Sequence, residues 1–159
     1  MVPVKQVRDS PPSSRTGPAE SKGADALRSA ALVAMRNAYA PYSGFKVGAA
    51  VVNEAGRVFA GANVENSSYG LTVCAERSAI FQAIAAGSEH IGMLAIVADS
   101  ATPAPSCGAC RQVLSEFAED AIIISYTLSG LSRMWSLSEL LPVPFGKAAL
   151  ARSRTAQTR

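Results

Sequence analysis

The spacing of apolar residues along this chain changes several times, and each change marks an element. Over 25–39, DALRSAALVAMRNAY, the residues Leu27, Ala31, Met35 and Ala38 recur three and four apart, which predicts an amphipathic helix. Pro41 and Gly44 then interrupt the chain. KVGAAVVN (46–53) and RVFAGANV (57–64) read as two strands joined by the turn EAGR, and so as a hairpin. A loop, ENSSYGL, leads to a second helical rhythm over 74–86 that stops near Gly87. GMLAIVA (92–98) is a short apolar run bounded by Gly and Asp, the pattern of a buried strand. CGACRQVLSEFA (107–118) carries apolar residues at 113, 114 and 117 and predicts a helix, and β-branched AIIISYT (121–127) predicts another strand. Beyond it only SLSELLP (136–142) has a clear pattern, that of a short helix.

The order is helix, hairpin, helix, strand, helix, strand. Strands alternating with helices predict a parallel portion of sheet with helices on its faces. The hairpin adds an antiparallel pair, so the sheet should be mixed. The expected fold class is α/β, a single-domain three-layer α/β/α sandwich, with no internal repeat. Residues 1–24, rich in Pro, Ser and Gly, read as a disordered tail. Residues 25–146 read as the domain and 147–159 as a loose basic tail.

Composition narrows the function. Apolar residues make up 48% of the 159, enough for a core. No apolar run approaches the roughly 18 residues that cross a bilayer. The opening MVPVKQVRDSPPSSRTG lacks the apolar centre of an export signal, so the expectation is a cytoplasmic protein. The net charge of +3 belongs to the ends: residues 1–24 carry +2 and 147–159 carry +4, which leaves −3 on 25–146. A slightly acidic domain has no footprint for gripping a nucleic-acid backbone. The tails alone are read as solvated, solubilising ends.

The three cysteines change the picture more. An odd count fits a disulfide framework poorly. Cys74, Cys107 and Cys110 all fall at predicted helix starts. There the helix dipole and free N–H groups favour the thiolate, the form that binds metal. If the two helix starts converge, three thiolates meet at one point, and zinc suits such a soft site. Three ligands are the informative number: a structural zinc site is closed by four, whereas a catalytic one keeps a position for water. Zinc brings the pKa of that water to about 7. Glu76, two residues from Cys74, is placed for general acid–base work on it. Taken singly, each feature has a plainer meaning. A cysteine at a helix start is ordinarily a small buried apolar residue, and C-x-x-C can be a redox pair or half of a structural zinc site. His90, as a fourth ligand, would close the centre. It follows the far end of the 74–86 helix, about 18 Å along the axis from Cys74.

Three stretches, PYSGFKVGAA, NVENSSYGLTVCAERSA and SCGACRQV, closely resemble the signatures of the small homotetrameric cytidine deaminases. The resemblance spans about 25–146 and matches the three-cysteine subgroup, since Cys74 stands where other members have histidine. It implies a cytidine deaminase-like fold and one zinc ion per subunit on Cys74, Cys107 and Cys110. It also implies hydrolytic loss of the 4-amino group from cytidine and 2′-deoxycytidine, a step of pyrimidine salvage, with Glu76 as the proton carrier. It places the Ala75 carbonyl against the substrate amine, Asn63 and Glu65 at the ribose 3′-hydroxyl, and Phe45 beside the base. Ser67, Tyr69 and Phe145 would reach into a neighbouring subunit's pocket. The partners implied are a small nucleoside and three further copies of the chain, with no nucleic acid and no membrane. Asn63 capping a turn and Phe45 in ordinary core remain the plainer alternatives.

A zinc ion at +2 with three thiolates is a net anion, a poorer acidifier of water than a neutral centre. The resemblance implies that Arg77 offsets this by hydrogen bonding to sulfur. One position departs from the family pattern, which usually has proline directly before the first cysteine of C-G-x-C. Here Ser106 stands there with Pro105 before it, and serine is expected to cap the helix instead. Two other readings stay open: a related deaminase acting on an aminonucleoside antibiotic of the blasticidin type, and a non-catalytic zinc-stabilised module.

Overall fold

The computed structural model describes residues 18–147 and 149–150. Helix α1 (Pro18–Met35) precedes a hairpin of β1 (Val47–Asn53) and β2 (Val58–Ala62). Then come α2 (Ala75–Ala85), β3 (Ile91–Ala98), α3 (Gly108–Ser115), β4 (Ile122–Thr127), β5 (Ser132–Ser136) and α4 (Leu137–Leu140). The five strands form one sheet in the order β2-β1-β3-β4-β5. Only β3 and β4 run parallel; the other pairs are antiparallel, so the sheet is mixed as expected.

Strand alternation divides the core in two. Ala49, Val51, Leu94, Ile96 and Ile123 face α2, α3 and α4. Ala50, Ala95, Val97, Ile124 and Tyr126 face α1, which lays Ala24, Leu27, Ala31 and Met35 against them. Two glycines set how closely the layers approach. A Cβ on Gly48 would strike the α1 backbone at Ala31 and Met35, and one on Gly61 would lie 2.5 Å from Ala79 N of α2. The hairpin turn is held by buried Asn53, whose Oδ1 accepts from Ala55 N and Arg57 N while Gly56 takes a φ of +74°.

Three expectations are corrected. The first helix starts at Pro18, not Asp25, so residues 18–24 are helical and not part of a disordered tail. Proline is favoured at a helix's first position, and Ala24 is buried at the α1–sheet contact. Residues 1–17 lie outside the described residues, as does most of the expected tail over 147–159. Strand β5 went unread because SRMWS is a short, mostly polar edge, anchored by Trp135 and Met134 on opposite faces. The third helix ends at Ser115, three residues early, after which Phe117 O accepts from Ile91 N to start β3. Among the described residues no helix is long and apolar enough to cross a membrane.

Candidate metal centre

Helices α2 and α3 meet start to start. Cys74 is the N-cap of α2 and Cys107 the N-cap of α3, both in extended conformation, with Cys110 one turn into α3. The three Sγ atoms lie within 4.8 Å of one another. Cys74 Sγ is 3.8 Å from Cys107 Sγ, which is 3.5 Å from Cys110 Sγ. Bonds of about 2.3 Å at tetrahedral angles put sulfur atoms about 3.8 Å apart, so the spacing fits zinc. Among the described residues the cluster holds these three cysteines and no fourth ligand. His90 is elsewhere, its backbone N–H donating to Glu54.

Electrostatics divides the thiols. Cys74 is held down to about 5, first by the Cys110 thiol donating to it and then by Arg77 and Cys107. Cys110 is pushed up, by that same donation and by burial. A thiolate is thus favoured even before a cation arrives. Arg77 Nη2 donates to Thr72 O at 2.9 Å and lies 3.7 Å from Cys74 Sγ, while its Nε is buried without a partner.

Glu76, in the first turn of α2, is only 6% exposed. Burial pushes its carboxyl up and the Cys74 thiolate adds to the rise, while its own backbone N–H, Ser106 and Cys110 oppose it. A carboxyl whose pKa burial has raised holds on to a proton more readily once it has taken one. Ser106 does not cap α3: Cys107 is the cap and no side chain bonds there. The chain enters α3 one residue later than a serine cap requires. The Ser106 hydroxyl is instead buried without a hydrogen-bond partner, and it acts on the Glu76 carboxyl in favour of the charged form.

The remaining candidates form a rim. Glu65 accepts from the Ser43 hydroxyl and from Tyr42 N (2.8 Å) and Ser43 N (3.2 Å), and the serine contact lowers its pKa most. Asn63 caps no turn; its Oδ1 accepts from Val47 N (2.9 Å) and its Nδ2 donates to Phe45 O (2.9 Å). That clamp presents Phe45, which is exposed, as are Ser67, Tyr69 and Phe145. Tyr69 packs edge-on against Tyr42, with ring centroids 5.8 Å apart. Ala75 opens α2 and is fully buried. Sequence reasoning missed two braces. Arg111 ties Ser106 O (2.7 Å) to Leu140 O (2.9 Å), and Gln112 exchanges two hydrogen bonds with the Phe145 backbone. The only signal for either was its place just after the second cysteine of C-G-x-C.

Comparison with known proteins agrees with this geometry. Residues 21–126 match the family described as the cytidine and deoxycytidylate deaminase zinc-binding region. The chain is 47% identical over 116 residues to a cytidine deaminase of Halalkalibacterium halodurans, covering 72% of this chain and 88% of that one. It is 41% identical over 128 residues to the cytidine deaminase of Mycobacterium tuberculosis, covering 80% and 93%. Among solved structures it superposes on cytidine deaminase from Burkholderia pseudomallei with a TM-score of 0.73 at 47% identity, covering 76% and 98%.

Proposed function

The chain belongs to the cytidine and deoxycytidylate deaminase family, and from that membership we propose that it is a zinc hydrolase converting cytidine and 2′-deoxycytidine to the uridine nucleosides and ammonia. The observation that carries the reading is the trio of cysteines with a buried carboxyl beside it and no fourth ligand among the described residues. Cys74, Cys107 and Cys110 would hold the ion, which supplies acidified water when bound. Glu76 then takes a proton from the water and delivers it to N3 of the pyrimidine as C4 is attacked. It then takes the second proton from the hydroxyl left on C4 and gives it to the 4-amino group, which leaves as ammonia as the C4–N bond breaks and the C4 carbonyl forms. Its burial matters here, because a carboxyl held in water would surrender the proton too readily for the second step.

Arg77 is assigned to the Cys74 sulfur, where it disperses the charge of three thiolates. The Ala75 carbonyl would accept from the substrate amine, and Asn63 and Glu65 would meet the ribose hydroxyl through the lone pairs and the amide N–H that their rim contacts leave free. Phe45 supplies an apolar wall for a flat base. Ser67, Tyr69 and Phe145 would complete the pocket of another copy in a homotetramer. The exposure of Tyr69, Leu71 and Phe81 supports such burial between copies. The domain is assigned to 25–146, preceded in the described chain by the first turns of α1, and acts in the cytoplasm in pyrimidine salvage. A structural zinc module would instead need a fourth ligand and would have no use for Glu76.

The test is the ultraviolet absorbance of cytidine with the purified protein. It should decline with the wild type. With Glu76→Gln the rate should fall by about 10²–10⁴-fold at unchanged zinc content. A Glu76→Gln variant of equal rate would remove the carboxyl from the mechanism.

A further inference from the structure

After α4 the chain runs through LPVPFG, 141–146, without helix or strand. Pro142 and Pro144 cannot donate a backbone hydrogen bond, so this stretch cannot pair along its length. Its fixed point is Phe145. The carboxamide of Gln112 takes both backbone groups of that residue: Nε2 donates to Phe145 O at 2.7 Å, and Phe145 N donates to Oε1 at 3.1 Å. Such a mutual exchange is what a residue on a neighbouring strand would supply, here made by one side chain. Other residues of the same helical segment brace the flanks. Arg111 Nη1 donates to Leu140 O at 2.9 Å, and Glu116 pairs with Lys147 at 3.2 Å. Yet the residue so held adds nothing to the core. Phe145 is 63% exposed and belongs to neither core cluster. A large apolar side chain on a pinned, exposed backbone is pre-organised for a contact outside its own chain. Cys110 lies two residues before Gln112 on α3, so the ring stands in a fixed relation to the thiol cluster.

We propose that Gln112 is a positioning residue for substrate binding: its carboxamide clamps the Phe145 backbone to the metal-bearing helix and so sets the place from which the ring meets the nucleoside in another copy's pocket. The clamp acts on binding and not on the chemical step, because it touches neither a thiol nor Glu76. This rests on the reading above, in which Phe145 completes the pocket of another copy.

The experiment compares Gln112→Ala with the wild type in cytidine turnover, zinc content and oligomeric size by light scattering. With the clamp gone, substrate binding must itself order the Phe145 segment. KM should therefore rise about 5–20-fold while kcat stays within about twofold. Zinc per chain and oligomeric size should match the wild type, since alanine keeps the helix intact. In a Phe145→Ala background there is no ring to place, and the same substitution should change KM less than about twofold. A KM for Gln112→Ala within about twofold of wild type, an equal rise in both backgrounds, or a loss of zinc or of the oligomer would each overturn the proposal. A wild type inert toward cytidine, or a Phe145→Ala variant with the wild-type KM, would strike the reading beneath it and the proposal with it, which separates the two failures.

Discussion

The two faces of the sheet are covered by helices in different ways. On one, α1 lays down small and aliphatic side chains, and Arg28 stacks 5.2 Å over the Tyr126 ring at its edge. On the other, α2 and α3 bury an equally apolar floor, yet among the described residues this side carries the unsatisfied groups. Arg77 Nε, Ser106 Oγ and Ser125 Oγ are all buried without partners. Arg77 and Ser106 flank the helix starts, and Ser125 shares its strand face with Ile123, which packs against this layer. Glu76 and Cys110 are buried there too. The contrast teaches that both faces are built as core, while the α2/α3 face also gathers the thiols, the carboxyl and the guanidinium at its helix starts.

Substitutions on the two faces should therefore fail differently. The largest effect is expected from Cys110→Ser. It should lower zinc to a small fraction of one per chain and reduce cytidine turnover to background, with metal analysis and the absorbance assay as readouts. Its melting temperature should approach that of metal-stripped wild type, since the core around it remains. Next is Leu27→Ala on the opposite face, where a fully buried side chain contacts the sheet. A loss of about 2–5 kcal/mol in denaturant unfolding is expected, with kcat of the folded fraction unchanged. If kcat fell as well, the division between the faces would be wrong. Smallest is Arg77→Gln, expected to weaken zinc retention about 10–100-fold against a competing chelator while the fold stays intact. Zinc retention and rate both unchanged would refute its role at Cys74.

The sequence made the framework legible where side chains decide it. Leu27, Ala31 and Met35 at helical spacing marked the α1 face, and runs such as GMLAIVA marked central strands buried on both sides. The metal cluster was legible because three cysteines and a carboxyl at two helix starts have few other uses together. What could not be read depended on contacts far apart in the chain. Strand β5 is recognisable only through its pairing with β4, from Ile122↔Ser136 to Tyr126↔Ser132. The start of α1 depends on Ala24 reaching the sheet, which periodicity beginning at Leu27 could not show. Ser106 was misread because serine before a helix is usually its cap. Local propensity gave no warning that Cys107 would take that position and leave the serine hydroxyl buried without a partner.

The most direct test is X-ray absorption at the zinc edge of the reconstituted protein. Three sulfur neighbours at about 2.3 Å and one oxygen or nitrogen at about 2.0 Å, replaced when a nucleoside analogue binds, are predicted. Four protein ligands that do not change on adding the analogue, or a protein that takes up no zinc, would contradict the account.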